Sequence, residues 1–244
     1  MKAVLISGGL GTRLGRLTNG SVSKQRLPVY DKPMIEHVVE CLVAGGCDDI
    51  LVLLNGKNPQ LILESLEEGS RFGCQISYKH FNDTLHGPVR HFLVAEKWVG
   101  DEPFVLMLGD SFFVAPLQFV DKSAPHIWTM PLGDFDDPRK YGQVQVSGSK
   151  VTQLVEKPEA QFSDRIQTGV WLFPPDVFEK ARAQQGKEGE LHFGDLSMMY
   201  VNEGRMTHTS LPPRSYIDLG TPEALLRAAN IRADMVRSTA QAAE

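Results

Sequence analysis

The sequence predicts an α/β fold: a Rossmann-like, mostly parallel sheet flanked by helices, carrying a mixed or antiparallel extension. Three observations predict it. Runs such as Ile50-Leu51-Val52-Leu53-Leu54 and Phe104-Val105-Leu106-Met107-Leu108 are apolar throughout. They lack the in-and-out alternation of a half-exposed strand, so both sheet faces must be covered. Segments with apolar residues at helical spacing alternate with these runs, as a parallel sheet requires. Beyond residue 115 the strand candidates become short and are separated by Gly, Asp and Pro, which suits antiparallel turns.

Taken in order, Met1–Ser7 reads as a buried strand. Pro33–Gly45 reads as a helix, because Ile35, Val38, Val39, Leu42 and Val43 share one face and Gly45-Gly46 stops it. Asp49–Leu54 is the second strand, followed by a helix around Pro59–Glu68. Cys74–Lys79 is the third strand, Val89–Val99 a helix, and Phe104–Leu108 a fourth strand closed by Gly109-Asp110. In the second half Ile127–Leu132, Gly142–Ser147, Lys150–Val155 and Gly169–Phe173 are short strands. Pro174-Pro175 then opens a helix through Ala181, and Thr221–Glu244 is a terminal helix. No composition shift marks a linker, so residues 1–244 are expected to form a single unit.

The 244 residues are 42% hydrophobic and 23% charged with a net charge of −5, which disfavours nucleic acid or an anionic membrane as a partner. No run approaches the about 18 apolar residues needed to span a bilayer. The short apolar start leads into glycines and does not resemble a signal peptide, so a cytoplasmic location is expected. Cys41, Cys47 and Cys74 fit neither a disulfide framework nor a zinc motif and are expected as reduced thiols.

The first strand ends in Ser7-Gly8-Gly9-Leu10-Gly11-Thr12-Arg13. Glycines let a ligand approach the backbone, their free N–H groups form an anion nest, and Arg13 adds a charged fork suited to phosphate. A dinucleotide site is excluded, because the second strand ends Leu53-Leu54-Asn55-Gly56 without the carboxylate that would hold a ribose. A Walker loop is excluded because no Gly-Lys-Ser/Thr follows.

With Ser23-Lys24-Gln25 and Leu27-Pro28-Val29-Tyr30-Asp31-Lys32-Pro33-Met34, the glycine loop resembles the sugar-phosphate nucleotidyltransferase family. The glucose-1-phosphate thymidylyltransferases within it match best. Further matches are Leu108-Gly109-Asp110, Tyr141-Gly142, Glu156-Lys157-Pro158, Thr168-Gly169, Gly189-Glu190-Leu191 with Asp195, and Asp218-Leu219-Gly220-Thr221. They span nearly the whole chain.

The resemblance implies the nucleotide-diphospho-sugar transferase fold and an enzyme that joins a nucleoside triphosphate to a sugar-1-phosphate, releasing pyrophosphate. The best match is dTTP with glucose-1-phosphate. It implies a nucleotide-binding half over about 1–115, a sugar-phosphate-binding half over about 116–221, and a terminal helix over 222–244. Nucleotide binding falls to Ser7, Gly8, Gly9, Gly11, Thr12, Arg13, Gly87 and Asp110. Sugar-phosphate binding falls to Tyr141, Gly142, Glu156, Lys157, Thr168 and Gly169. Catalysis falls to Arg13, Lys24, Asp110, Lys157 and Asp218, with Asp110 and Asp218 holding Mg²⁺. The partners are the two substrates alone, with a homo-oligomer as an open expectation.

The sequence departs from the family around Lys79–Phe92. Arg90 stands where a polar amide is usual, Pro88 stiffens the turn, and no Gln precedes Gly87. Base identity is therefore open, with cytidylyl or uridylyl transfer to an atypical phosphorylated or phosphonate acceptor as the alternative. A non-catalytic nucleotide- or sugar-phosphate-binding subunit is the other. His80, His86 and His91 have no standard metal spacing and are expected as packing or solvated residues.

Overall fold

The structure, a computed structural model, describes residues 1–8, 11–18, 23–54, 58–80, 88–119, 125–132, 137–184 and 191–242. The first half holds β1 (Lys2–Ser7), the two-residue hairpin strands β2 (Pro28–Val29) and β3 (Lys32–Pro33), α1 (Met34–Ala44) and β4 (Asp49–Leu54). It continues through α2 (Gln60–Leu66), β5 (Gln75–His80), α3 (Pro88–Phe92), α4 (Glu96–Val99), β6 (Phe104–Leu108) and β7 (Ser111–Phe113). The second half holds β8 (His126–Pro131), β9 (Gln143–Ser147), β10 (Lys150–Val155), β11 (Arg165–Phe173) and α5 (Val177–Ala183). It ends with α6 (Phe193–Asn202), β12 (Thr207–Ser210), β13 (Tyr216–Asp218) and α7 (Pro222–Ala242).

Nine strands form one sheet in the order β5-β4-β1-β6-β11-β8-β12-β10-β9. The first four run parallel, with Leu5 opposite both Val52 and Met107. The direction reverses at β11, which pairs antiparallel with β6 through Trp171 and Leu106. β8 and β9 are also antiparallel to β11, which makes the extension mixed, as expected. A separate ribbon pairs β7 with β13 and sets Asp218 opposite Ser111.

The sheet residues divide by alternation. Ala3, Leu5, Val105 and Met107 bury against α1 and α2 through Val38, Leu42 and Ile62. Val4, Phe104 and Leu106 face α3, α5 and α6 through Phe92, Phe178, Leu196 and Tyr200. Covering both faces explains why these strands are apolar throughout. A third cluster seats Ala224 and Ala228 of α7 on Phe112 and Ile217 of the ribbon. No described helix is long and apolar enough to cross a membrane.

Several elements differ from the sequence reading. The expected helix Val89–Val99 is α3 and α4 joined by a 3-10 turn at Leu93–Ala95. β11 begins at Arg165 rather than Gly169, because the sheet buries Gln167 and Thr168 as fully as its apolar residues. α6, β7, β12 and β13 were not foreseen: the strands are three or four residues long, and α6 opens on Phe193-Gly194-Asp195, where glycine weakens the helical signal. None of the three cysteines forms a disulfide, and desolvation pushes the half-buried Cys41 thiol up to about 11, as fits an unreactive thiol.

Phe178 stacks on Phe92 at 4.5 Å and on Phe104 at 5.5 Å between ring centroids, welding α5 to the sheet. Phe178→Ala is expected to cost about 3–5 kcal/mol of stability, read from the urea midpoint. A loss below about 1 kcal/mol would contradict the packing described.

Candidate active site

The site forms where the parallel strands end. β6 closes at Leu108, the Gly109 N–H donates to the Ile6 carbonyl at 2.8 Å, and Asp110 follows at the carboxyl edge, where open α/β sheets place ligands. The β7–β13 ribbon then returns the chain, with the Leu219 N–H on the Asp110 carbonyl at 2.9 Å. Asp110 and Asp218 are thereby brought together from positions far apart in sequence.

Their environments differ. Burial pushes the Asp110 carboxyl up, but the charge and hydrogen bond of Lys24, aided by Arg13, hold it below the usual carboxylate range. Burial, then the charge of Asp110, raises Asp218 to about 6, against the pull of Lys24, Arg13 and Lys157. Asp218 Oδ1 is buried without a hydrogen-bond partner. An orphaned carboxylate oxygen beside a second buried carboxylate fits a divalent cation. The described residues contain no cluster of three or more acidic, His or Cys side chains.

The glycine loop approaches from β1, where the buried Ser7 hydroxyl has no partner. Gly11 adopts φ 60 at the start of the 3-10 segment Thr12–Leu17, a conformation that disfavours side chains. Arg13 packs over Gly220, where a Cβ would lie 2.7 Å from its Nη2 and 3.1 Å from Asp218 Oδ1. Thr12 lies in the 3-10 segment, while Gly9 and Gly87 lie outside the described residues. The 3-10 turn Lys24–Arg26 is anchored by the two residues that follow Lys24. Gln25, 1% exposed, donates to the Gly8 carbonyl at 2.8 Å. Arg26 reaches Ser65 at 2.5 Å, and Ser65 donates to Glu36, which also pairs with Arg71 at 2.9 Å.

A cleft of about 570 Å³ opens beside Arg13, Asp110 and Asp218 and runs to Tyr141, Gly142, Glu156, Lys157, Thr168 and Gly169. Gly142 and Gly194 leave room for Glu156, since a Cβ would lie 3.0 and 2.8 Å from its Oε2. Lys157 holds φ 44, an unfavourable conformation for a side-chain-bearing residue of the kind that clusters at functional sites. It is fixed by its N–H on the Tyr141 carbonyl at 3.2 Å, with its ammonium 3.5 Å from Glu156. Gly169 admits Ser111, whose Oγ would lie 2.2 Å from a Cβ. Thr168 lines the cleft, but its hydroxyl donates to the Trp128 carbonyl at 2.8 Å.

Every described residue that the sequence nominated for sugar phosphate lines this cleft. The sequence reading missed Gln167, Trp171, His192, Phe193, Gly194 and Tyr216, which line it too. A signal for two existed: Gln167, Gly169 and Trp171 recur at period two, one face of one strand.

Comparison with known proteins identifies the family and the fold. The family model described as nucleotidyl transferase matches residues 2–234. A glucose-1-phosphate thymidylyltransferase of Neisseria meningitidis serogroup A is 33% identical over 237 residues, 94% of this chain and 82% of the relative. One from Mycolicibacterium smegmatis is 31% identical, over 94% and 81%. The solved structure of a candidate glucose-1-phosphate thymidylyltransferase from Bacillus anthracis, in complex with sucrose, superposes with a TM-score of 0.85 at 27% identity. It covers 95% of this chain and 94% of that one. A UDP-glucose pyrophosphorylase complexed with UDP-glucose shares the fold, with a TM-score of 0.80 at 21% identity over 96% and 98%.

Because folding raises the Asp218 pKa, its contribution to stability is fully present below the unfolded value of 3.8 and lost as pH rises through about 6. Asp218→Asn removes that loss. Without metal or nucleotide, the variant is expected to melt about 2–5 °C above the parent at pH 8, the gap closing towards pH 4. A melting point at pH 8 equal to or below the parent's would contradict the crowding of the two carboxylates.

Proposed function

The chain belongs to the nucleotidyl transferase family, and from that premise we propose that it makes a nucleotide sugar from dTTP and glucose-1-phosphate. The products are dTDP-glucose and pyrophosphate. One observation carries the reading: two carboxylates whose pKa values are shifted in opposite directions, with the charges of Arg13, Lys24 and Lys157 acting among them, stand beside a cleft of about 570 Å³. The choice of thymine and glucose rests on relatives that bear those names over 94% of this chain.

In the proposed reaction a phosphate oxygen of the sugar-1-phosphate attacks the α-phosphorus of the triphosphate in line. A new P–O bond forms, the bond from the α-phosphorus to the α,β-bridging oxygen breaks, and that oxygen leaves on pyrophosphate. The chain contributes position and charge rather than a covalent group. The glycine loop and Arg13 receive the triphosphate and the charge growing on the departing pyrophosphate. Lys24 exchanges its contact with Asp110 for phosphate. Lys157 meets the phosphate of the sugar, and Glu156 accepts from the sugar hydroxyls. Mg²⁺, when held by Asp110 and Asp218, supplies charge neutralisation across the phosphate oxygens. The nucleotide is assigned to the half formed by about 1–115, and the sugar phosphate to about 116–221.

Pyrophosphate release should be fastest with dTTP and glucose-1-phosphate among pairings of dTTP, UTP, CTP, ATP and GTP with a panel of sugar-1-phosphates. A higher kcat/KM for UTP or CTP would overturn the base assignment alone. Asp110→Asn should lower turnover on the order of 10²- to 10³-fold or more while leaving the circular dichroism unchanged. Undiminished turnover would overturn the assignment of the site. Chelation with EDTA should stop the reaction and added Mg²⁺ restore it.

A further inference from the structure

The acceptor end of the cleft contains a group that the reaction as drawn leaves idle. Gln167 is 7% exposed, and both its Oε1 and its Nε2 are buried without a hydrogen-bond partner. The same sheet buries a second glutamine, Gln143, and gives partners to both its amide oxygen and its amide nitrogen. Its Oε1 accepts from the Phe162 and Ser163 N–H groups at 2.9 and 3.1 Å, and its Nε2 donates to the Pro138 carbonyl at 3.0 Å. Against that neighbour the bare amide of Gln167 is conspicuous, because a buried polar group left unpaired destabilises the ligand-free fold.

Its position says what would pair with it. Gln167 lines the cleft, and its main-chain N–H is pinned to the Gly142 carbonyl at 2.8 Å. A Cβ at Gly142 would lie 3.8 Å from Gln167 Oε1 and 3.0 Å from Glu156 Oε2, so amide and carboxylate flank one bare stretch of backbone. Trp171 and Phe193, with ring centroids 5.3 Å apart, line the same cavity with apolar surface. An apolar surface with polar groups at one wall suits a pyranose, whose ring face is apolar and whose rim is hydroxylated.

Resting on the acceptor being a sugar-1-phosphate, we propose that Gln167 binds two neighbouring hydroxyls of that sugar and determines specificity for them. A carboxamide presents an acceptor and a donor on one edge. One hydroxyl of a vicinal pair donates to Oε1 while its neighbour accepts from Nε2, and both orphaned atoms are satisfied together. A sugar lacking either hydroxyl leaves one buried amide atom unpaired, the circumstance in which binding sites discriminate most strongly.

The experiment compares kcat/KM of the parent, Gln167→Leu and Gln167→Glu on glucose-1-phosphate, its 2-, 3- and 4-deoxy analogues, and N-acetylglucosamine-1-phosphate. The parent should disfavour the deoxy analogues at two adjacent positions on the order of 10- to 100-fold. Gln167→Leu should lose that discrimination and keep the rest, with a ligand-free melting temperature no lower than the parent's. Gln167→Glu, which keeps acceptors but not the donor, should lose it at one of the two positions. A purely structural role would instead lower all substrates equally and depress the melting temperature, overturning the proposal. So would an unchanged deoxy profile in both variants. A parent that prefers N-acetylglucosamine-1-phosphate through Gln167 overturns the vicinal pair in favour of an amide contact. A parent that turns over no sugar-1-phosphate overturns the functional reading, and this proposal with it.

Discussion

Two carboxylates forced together where burial resists charge are the constraint around which this molecule is arranged. Asp110 follows a parallel strand and Asp218 ends a short antiparallel one, and the ribbon of β7 and β13 sets Asp218 opposite Ser111, next in the chain to Asp110. Without compensation both could not remain ionised. Lys24 supplies the compensation for Asp110, while Asp218 keeps a buried oxygen with no hydrogen-bond partner. The arrangement is a poor way to stabilise a protein and a good way to hold a cation that arrives with a polyphosphate.

The remaining parts of the site support that pair. The turn carrying Lys24 is tied by Gln25 to the glycine loop and by Arg26 to the Ser65–Glu36–Arg71 network, so the ammonium is presented by a braced segment. Glycines appear where side chains must converge: Gly220 beneath Arg13, Gly169 beside Ser111, and Gly142 and Gly194 against Glu156. Each removes a Cβ that would displace a polar group of the cleft. Strained backbone at Lys157 belongs to the same pattern, since it aims an ammonium into the cavity at a local cost.

The parallel half was legible in the sequence because its strands are buried on both faces and therefore carry an unbroken apolar signal. Asp110 followed from the end of such a strand. Asp218 did not: Tyr216–Asp218 is three residues long, and only likeness to a family singled it out. The antiparallel half was read in fragments, because β12 is the polar Thr-His-Thr-Ser and β11 starts in Arg165-Ile166-Gln167-Thr168. Starting that strand four residues late hid Gln167, and leaving α6 unread hid the aromatic wall at Phe193. Local patterns report burial against water well. They report poorly on polar groups that a sheet buries, such as Gln167 and Thr168.

The central claim is that one cation and both phosphate groups meet at Asp110 and Asp218, with the sugar extending along Glu156. The most direct measurement is a crystal structure of this chain with dTDP-glucose and Mg²⁺. The account expects the ion in contact with both carboxylates and with the diphosphate, Arg13 and Lys157 turned to the phosphates, and the pyranose against the Gly142–Glu156 wall. A diphosphate bound elsewhere, or an ion that touches neither carboxylate, would contradict it.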